Sequence, residues 1–262
     1  MERLEKNLTS QEPCPTDKNG LTEEQYLKQY DASIYDKPGV AVDNLLFAID
    51  EMPNDNIRKL PEKRLQVLLV KRTEHPFLGA WGLPGTFLRI DETFEDASMR
   101  CLKLKSNIND MHLEQLYSFG GVRRDPRYRI ISVSYMGLIN KNQCDCGAIS
   151  KNAAWFTIKD DKAQGCSTLA FDHAKIIEYG LQRIRNKIEY TDIAFSLLPK
   201  QFTLAELQQV YEVILNKKFS KANFQRKIKG KVECLNEHQK GGFRPALLYA
   251  CAKNPNRVRT SL

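Results

Sequence analysis

The sequence predicts a mixed α/β (α+β) domain over residues 37–190 and a small, basic, largely helical domain over residues 191–262, after an N-terminal extension of residues 1–36. Three observations predict it. Apolar runs of strand length alternate with amphipathic helical stretches up to residue 190. Beyond residue 200 the pattern turns helical and closes on a glycine-rich turn beside one more apolar run. The charge divides at the same place: residues 201–262 hold twelve of the 40 Lys and Arg but only four of the 32 Asp and Glu, so the whole excess of +8 lies there and the first 200 residues balance. A separate basic module with a polyanionic partner follows from that asymmetry.

The elements follow in chain order. Residues 1–20 are polar and expected to be disordered at the tip; from Leu21 a short helix is expected, since Thr22 and Gln25 have the spacing of a capping box, and Tyr26, Tyr30 and Tyr35 follow it. GVAVDNLLFAID (39–50) and LQVLLVKR (65–72) read as strands on either side of a charged loop with two prolines. HPFLGAWGLPGTF (75–87) is a loop of the kind that shapes a pocket. A helix is expected from Asp91 to about Lys105, with Phe94, Ala97, Leu102 and Leu104 as its apolar positions. RIISVSYMGLI (129–139) and AAWFTI (153–158) read as buried strands, and residues 169–188 as an amphipathic helix with Ile176, Ile177, Leu181 and Ile184 on its apolar face. EYTDIAFSLLPKQ (189–201) reads as the junction between the two modules.

In the basic module Thr203 and Glu206 form a second capping box, opening a helix with Leu204, Leu207, Val210, Tyr211 and Ile214 on one face. Ser220 caps a further helix, SKANFQRKIKG, closed by Gly230. Its buried side is Phe224 and Ile228; Ala222, Gln225, Arg226 and Lys229 share the opposite side, a face suited to a major groove. Ser220, Lys221 and Lys227 complete the candidate DNA-contacting set on this helix. GGFRP (241–245) beside LLYA reads as a wing, with Lys240 and Arg244 placed for phosphates.

No apolar run approaches the roughly 18 residues of a membrane span, and the N-terminus has no signal-peptide pattern. The seven cysteines are odd in number and scattered, with Cys144 and Cys146 the only close pair, which fits reduced thiols in a cytoplasmic protein better than a zinc site or a disulfide framework.

WGLPG (81–85), RIDET (89–93), RDPR (124–127), LAFDH (169–173), FSLLP (195–199), FTL (202–204) and NFQRK (223–227) keep their order over much of the chain. On these residues the stretch from 40 to 190 resembles a Nudix domain, and 40–250 resembles the Nudix-related transcriptional regulators of the NrtR type. The resemblance implies a Nudix sandwich followed by a winged helix-turn-helix domain, a homodimer on double-stranded DNA, and a small effector: ADP-ribose, a related nucleotide sugar or a plain sugar.

Laid on the Nudix signature, Glu92 and Arg100 keep their places, the first glycine position is Thr86, and the three glutamates of the helix fall on Cys101, Leu104 and Lys105. Positions i, i+3 and i+4 share one helix face, where three carboxylates would gather divalent cations on a pyrophosphate. A thiol, a leucine and an ammonium cannot, so loss of hydrolysis is expected, with no metal and no cofactor. The alternative is a working hydrolase of ADP-ribose-like nucleoside diphosphates with a basic appendage. A third reading makes the Nudix fold a dimerisation scaffold only.

The candidate ligand-binding residues are Trp81, Arg89, Glu92, Lys105, Phe119, Arg123, Arg124 and Arg127. Trp81 and Phe119 would stack on a base, although aromatics at such positions also serve as core. Arginine forks suit phosphates, or else pair with Asp125 and neighbouring acids to shape the loop. Lys105 either offers a phosphate a fixed charge or is a solvated helix lysine.

Overall fold

The computed structural model describes residues 15–53, 60–108, 111–140, 150–166, 168–239 and 245–252. The chain forms two compact units, Met1–Lys37 and Pro38–Leu262. In the first, helix α1 (Glu23–Gln29) opens on the expected capping box of Thr22 and Gln25 and is followed by a 3₁₀ turn at Ala32–Ile34. Tyr30 stands between Tyr26 and Tyr35, with ring centroids 5.8 and 6.4 Å away.

The second unit is built on a mixed sheet of strands β1 (Gly39–Met52), β2 (Glu62–Lys71), β3 (Trp81–Gly82), β4 (Gly85–Phe87), β5 (Glu114–Phe119), β6 (Ile130–Asn140), β7 (Ala153–Lys159) and β8 (Lys162–Ala163), in the order β5-β6-β1-β2-β7-β8. β3 pairs with β2 and β4 with β1, while β1 and β6 run parallel at the centre, with Val42 opposite Val133. β1 is buried without a break from Val42 to Ile49 because both its faces are covered. Leu45, Phe47 and Ile49 point toward helix α3 (His173–Tyr190) and its Ile176, Ile177, Leu181 and Ile184; Leu46 and Ala48 alternate to the other side, against Leu102 of helix α2 (Phe94–Ser106). A sheet between two helical layers is the α/β sandwich expected.

α2 opens on a capping box of Thr93 and Asp96 and ends on Asn107 in a left-handed conformation, φ 59°. Its expected apolar position Leu104 is 70% exposed, for a reason given below. α3 begins at His173, four residues later than expected, because Leu169 bridges to Trp81 instead. The junction folds as well: helix α4 (Ile193–Ser196) lies there, and Ile193, Ala194, Leu197 and Leu198 are buried in the same core as β1.

Strand β9 (Phe202–Thr203) leads into α5 (Leu204–Leu215), which has the Thr203–Glu206 capping box and ends on left-handed Asn216, φ 49°. Helix α6 (Lys221–Ile228) starts at Ser220, whose hydroxyl accepts the Asn223 N–H at 3.3 Å. Strands β10 (Val232–His238) and β11 (Leu247–Cys251) form the hairpin, with β9 as a third strand beyond β11. Lys240 and Arg244 lie outside the described residues, as do Cys14, Cys144 and Cys146.

Candidate functional site

The stretch from Trp81 to Gly85 is folded tightly because two of its positions admit no side chain. A Cβ on Gly82 would lie 2.8 Å from His173 Nδ1, and one on Gly85 would lie 2.3 Å from Asp43 Oδ1. Glycine there lets the start of α3 and the centre of β1 close on the loop. Leu83 N–H donates to His173 Nδ1 at 2.8 Å, so the imidazole carries its proton on Nε2, which lies 3.5 Å from Asp43 Oδ1.

Asp43 is the centre of a buried network. Its Oδ2 accepts from the Ser132 hydroxyl at 2.6 Å and from Arg124 Nη2 at 3.0 Å. Arg124 reaches across to Asp172, with Nε and Nη2 on the two carboxylate oxygens at 3.0 and 2.7 Å. Burial alone would raise the Asp43 carboxyl; His173, Arg124 and Ser132 outweigh it and hold the group well below the usual carboxylate range.

Two adjoining cavities of about 210 and 230 Å³ open above this network. Arg72, Glu74, Leu83, Lys105 and His173 line both; Leu104 lines the first, and Asp43, Arg124, Arg127 and Phe171 the second. Leu104 is exposed because it belongs to the cavity wall, not to the core. Arg72 stands 4.8 Å over the Phe171 ring and Arg127 5.8 Å from it, and Phe77 meets Phe171 edge-on at 4.9 Å. Phe77 and Phe171 both have left-handed backbones, φ 61° and 53°, a strain of about 1–3 kcal/mol each.

The predicted site residues divide. Lys105, Arg124 and Arg127 line the cleft. Of the two roles the sequence left open, Arg124 takes the ion pair, because its fork is taken by Asp43 and Asp172; Arg127 pairs with Asp125 at 2.7 Å but keeps 45% of its side chain exposed. Trp81 packs edge-on against Phe156 at 4.8 Å and belongs to the core, and Phe119 stands among Tyr117 and Tyr179 at the β5 edge. Arg89 and Arg123 are exposed and line neither cavity. Glu92 gives both oxygens to Arg100, at 2.9 and 2.5 Å, and this partner's hydrogen bonds hold its carboxyl down to about 2.

A divalent cation does not fit the signature helix. Cys101 is 1% exposed and burial pushes its thiol up to about 11, so it is no thiolate ligand. Leu104 offers no oxygen, Lys105 repels a cation, and Arg100 occupies Glu92.

The basic module presents its exposed face as expected: Phe224 and Ile228 are 0% and 2% exposed, while Lys221, Ala222, Gln225, Arg226 and Lys229 are exposed. Lys227 departs from the expected set. Its ammonium turns inward to Glu189, 6.0 Å from the Tyr211 ring, and anchors α6. One helix joins both sites. α3 begins at His173 in the cleft and runs 18 residues, about 27 Å at 1.5 Å each. Its far end holds α5 and α6 through Arg185 Nε donating to the Ile214 carbonyl at 3.0 Å and Glu189 accepting from Lys227.

The comparisons with known proteins bear on both halves. A NUDIX domain model matches residues 57–178, and a model of the NrtR DNA-binding winged helix domain matches residues 194–251. The chain is 34% identical over 239 residues to the ADPR responsive transcriptional repressor NtrR of Acinetobacter baylyi, across 89% of this chain and 90% of that one. The chain belongs to this family. Among solved structures, Shewanella oneidensis NrtR complexed with a 27mer DNA superposes with a TM-score of 0.62 and 32% identity, over 81% of this chain and 93% of that one. An ADP-ribose pyrophosphatase of Methanocaldococcus jannaschii is 31% identical over 58% of this chain and 77% of that enzyme. Membership of the NrtR family places the Nudix sandwich and the winged helix in one regulator, the architecture described above.

The residues of the cleft and of the network beneath it that sequence reasoning missed are Arg72, Asp43, Phe171, Asp172 and His173. LAFDH, which carries the last three, was visible as a motif, but neither periodicity nor spacing assigns it a role.

Proposed function

We propose that this chain is a DNA-binding transcriptional regulator, cytoplasmic and homodimeric, whose Nudix domain binds a small effector, ADP-ribose or a related nucleotide sugar or sugar, and has lost hydrolysis. The observation that carries the reading is the signature helix itself, which meets its cleft with Leu104 and Lys105 where a hydrolase needs carboxylates. The relative named as ADPR responsive, the winged helix match and the basic face of α6 support the rest. α3 gives an effector in the cleft a direct mechanical route to the reading helix.

Incubated with ADP-ribose and magnesium or manganese, the protein is expected to show no metal-dependent turnover approaching the 1 per second or so of ordinary enzymes. Turnover of that size, abolished by Glu92→Gln, would establish the hydrolase reading that the Methanocaldococcus relative represents.

In the major groove Gln225, Arg226 and Lys229 face bases or flanking phosphates, and a dimer favours a two-fold symmetric site with half-sites about one helical turn apart. Arg226→Ala should cost roughly 1–3 kcal/mol and relax preference at one base pair. A gel-shift series against single-base operator variants measures both effects. Uniform weakening on every variant would make Arg226 a phosphate anchor instead.

A further inference from the structure

We propose that Lys105 and Arg72 replace the divalent cation of this cleft and hold the pyrophosphate of a nucleoside diphosphate without metal. The proposal rests on the reading of the cleft as an effector site and names the group by which the effector is gripped.

Five cations line the two cavities: Lys71, Arg72, Lys105, Arg124 and Arg127. Arg124 and Arg127 are satisfied by carboxylates. Lys71 is exposed and lines the first cavity only. Arg72 and Lys105 line both, and among the described residues neither has a carboxylate within 4.0 Å of its charged nitrogens. Lys105 donates to the Gly85 carbonyl; Arg72 donates through Nε to the Pro76 carbonyl at 2.7 Å and through Nη2 to the Glu74 carbonyl at 3.4 Å. Main-chain oxygens orient both groups, and no carboxylate among the described residues is bonded to either. The remaining donors of the guanidinium fork and the ammonium suit a group rich in acceptor oxygens.

The electrostatics point the same way. Burial and the neighbouring Arg127 charge lower the Arg72 pKa by more than the carboxylates of Asp125, Glu74 and Asp43 raise it. Both guanidiniums stand near the Phe171 ring, at 4.8 and 5.8 Å from its centroid, and an anion relieves their mutual repulsion. Where the signature places three carboxylates and the cations they gather, this face carries the single positive charge of the Lys105 ammonium, which meets a phosphate directly. The difference lies in what cannot happen next, since an ammonium gathers no metal-bound water for attack on phosphorus.

Titration calorimetry with ADP-ribose tests this on the full-length protein, in EDTA and in magnesium, beside adenosine and inorganic pyrophosphate as probes. ADP-ribose affinity should be the same in EDTA as in magnesium to within about twofold. Lys105→Ala, an exposed position whose loss leaves the core intact, should weaken it roughly 10- to 100-fold, the worth of a charge-assisted hydrogen bond. Lys105→Arg should restore most of the loss, and adenosine binding should ignore both changes. Binding that requires magnesium, or that Lys105→Ala leaves unchanged, overturns the proposal while the effector reading stands. Inorganic pyrophosphate binding as tightly as ADP-ribose overturns the assignment to a nucleoside diphosphate. No binding of ADP-ribose by the wild type in either buffer removes the ADP-ribose reading itself.

Discussion

Replacing Arg124 with alanine is expected to cost about 3–5 kcal/mol of folding stability, the penalty of breaking a buried ion pair and leaving its partner charged. Arg124 is 5% exposed at its side chain and binds two carboxylates, Asp43 at 8% and Asp172 at 16%. Without the guanidinium, Asp43 keeps only the Ser132 hydroxyl and His173 against the cost of its burial. The pH dependence has a definite sign. Asp43 is depressed in the folded state, so its contribution is complete above the unfolded value of about 4 and lost as pH falls below it. In Arg124→Ala the depression is smaller, and stability should fall less steeply in acid. Arg127→Ala should cost much less, because Asp125 Oδ1 still accepts the backbone N–H of residue 127 at 3.0 Å. Urea unfolding of the two variants at neutral and acid pH measures the contrast. Equal and small losses would show that Arg124 is free to serve a ligand, the other role the sequence left open.

The second large effect is at Phe224, 0% exposed, edge-on to Tyr211 at 5.4 Å and 6.0 Å from Phe219. Phe224→Ala should cost about 3–5 kcal/mol by cavity formation under α6. With a chain of this length, that lowers the thermal midpoint by roughly 6–20 °C. DNA binding should be lost with it, since α6 has only Phe224 and Ile228 as fully buried anchors. A circular-dichroism melt beside a gel shift reads both. An unchanged melt would mean that α6 is held from elsewhere, for instance by Lys227 on Glu189.

The fold was legible wherever one local rule sufficed. Capping boxes at Thr22, Thr203 and the Ser220 cap placed three helix starts, and the apolar run of β1 announced a strand. β5 escaped because it is an edge strand whose residues, Tyr117 among them, are largely exposed, so no apolar run marks it. The inward turn of Lys227 was legible and overlooked: at 100° per residue it lies about 60° from Phe224, on the buried half of α6. The cleft was not legible in the same way. Asp43 and His173 meet only because Gly82 and Gly85 let distant segments approach, and Arg72 faces the cavity only because β2 ends there. Such neighbours are products of tertiary packing, whereas the degenerate signature was a local pattern that the structure could be expected to keep.

The most direct test of the account couples the two halves of the molecule. An operator is selected from random-sequence DNA by the full-length protein, and its affinity is followed by fluorescence anisotropy as ADP-ribose is added in EDTA. Saturating ADP-ribose is expected to shift the DNA affinity at least about fivefold, the lower range of allosteric coupling, and deleting residues 201–262 to remove DNA binding while ADP-ribose binding survives. An operator affinity indifferent to bound ADP-ribose, or DNA binding retained after that deletion, would contradict it.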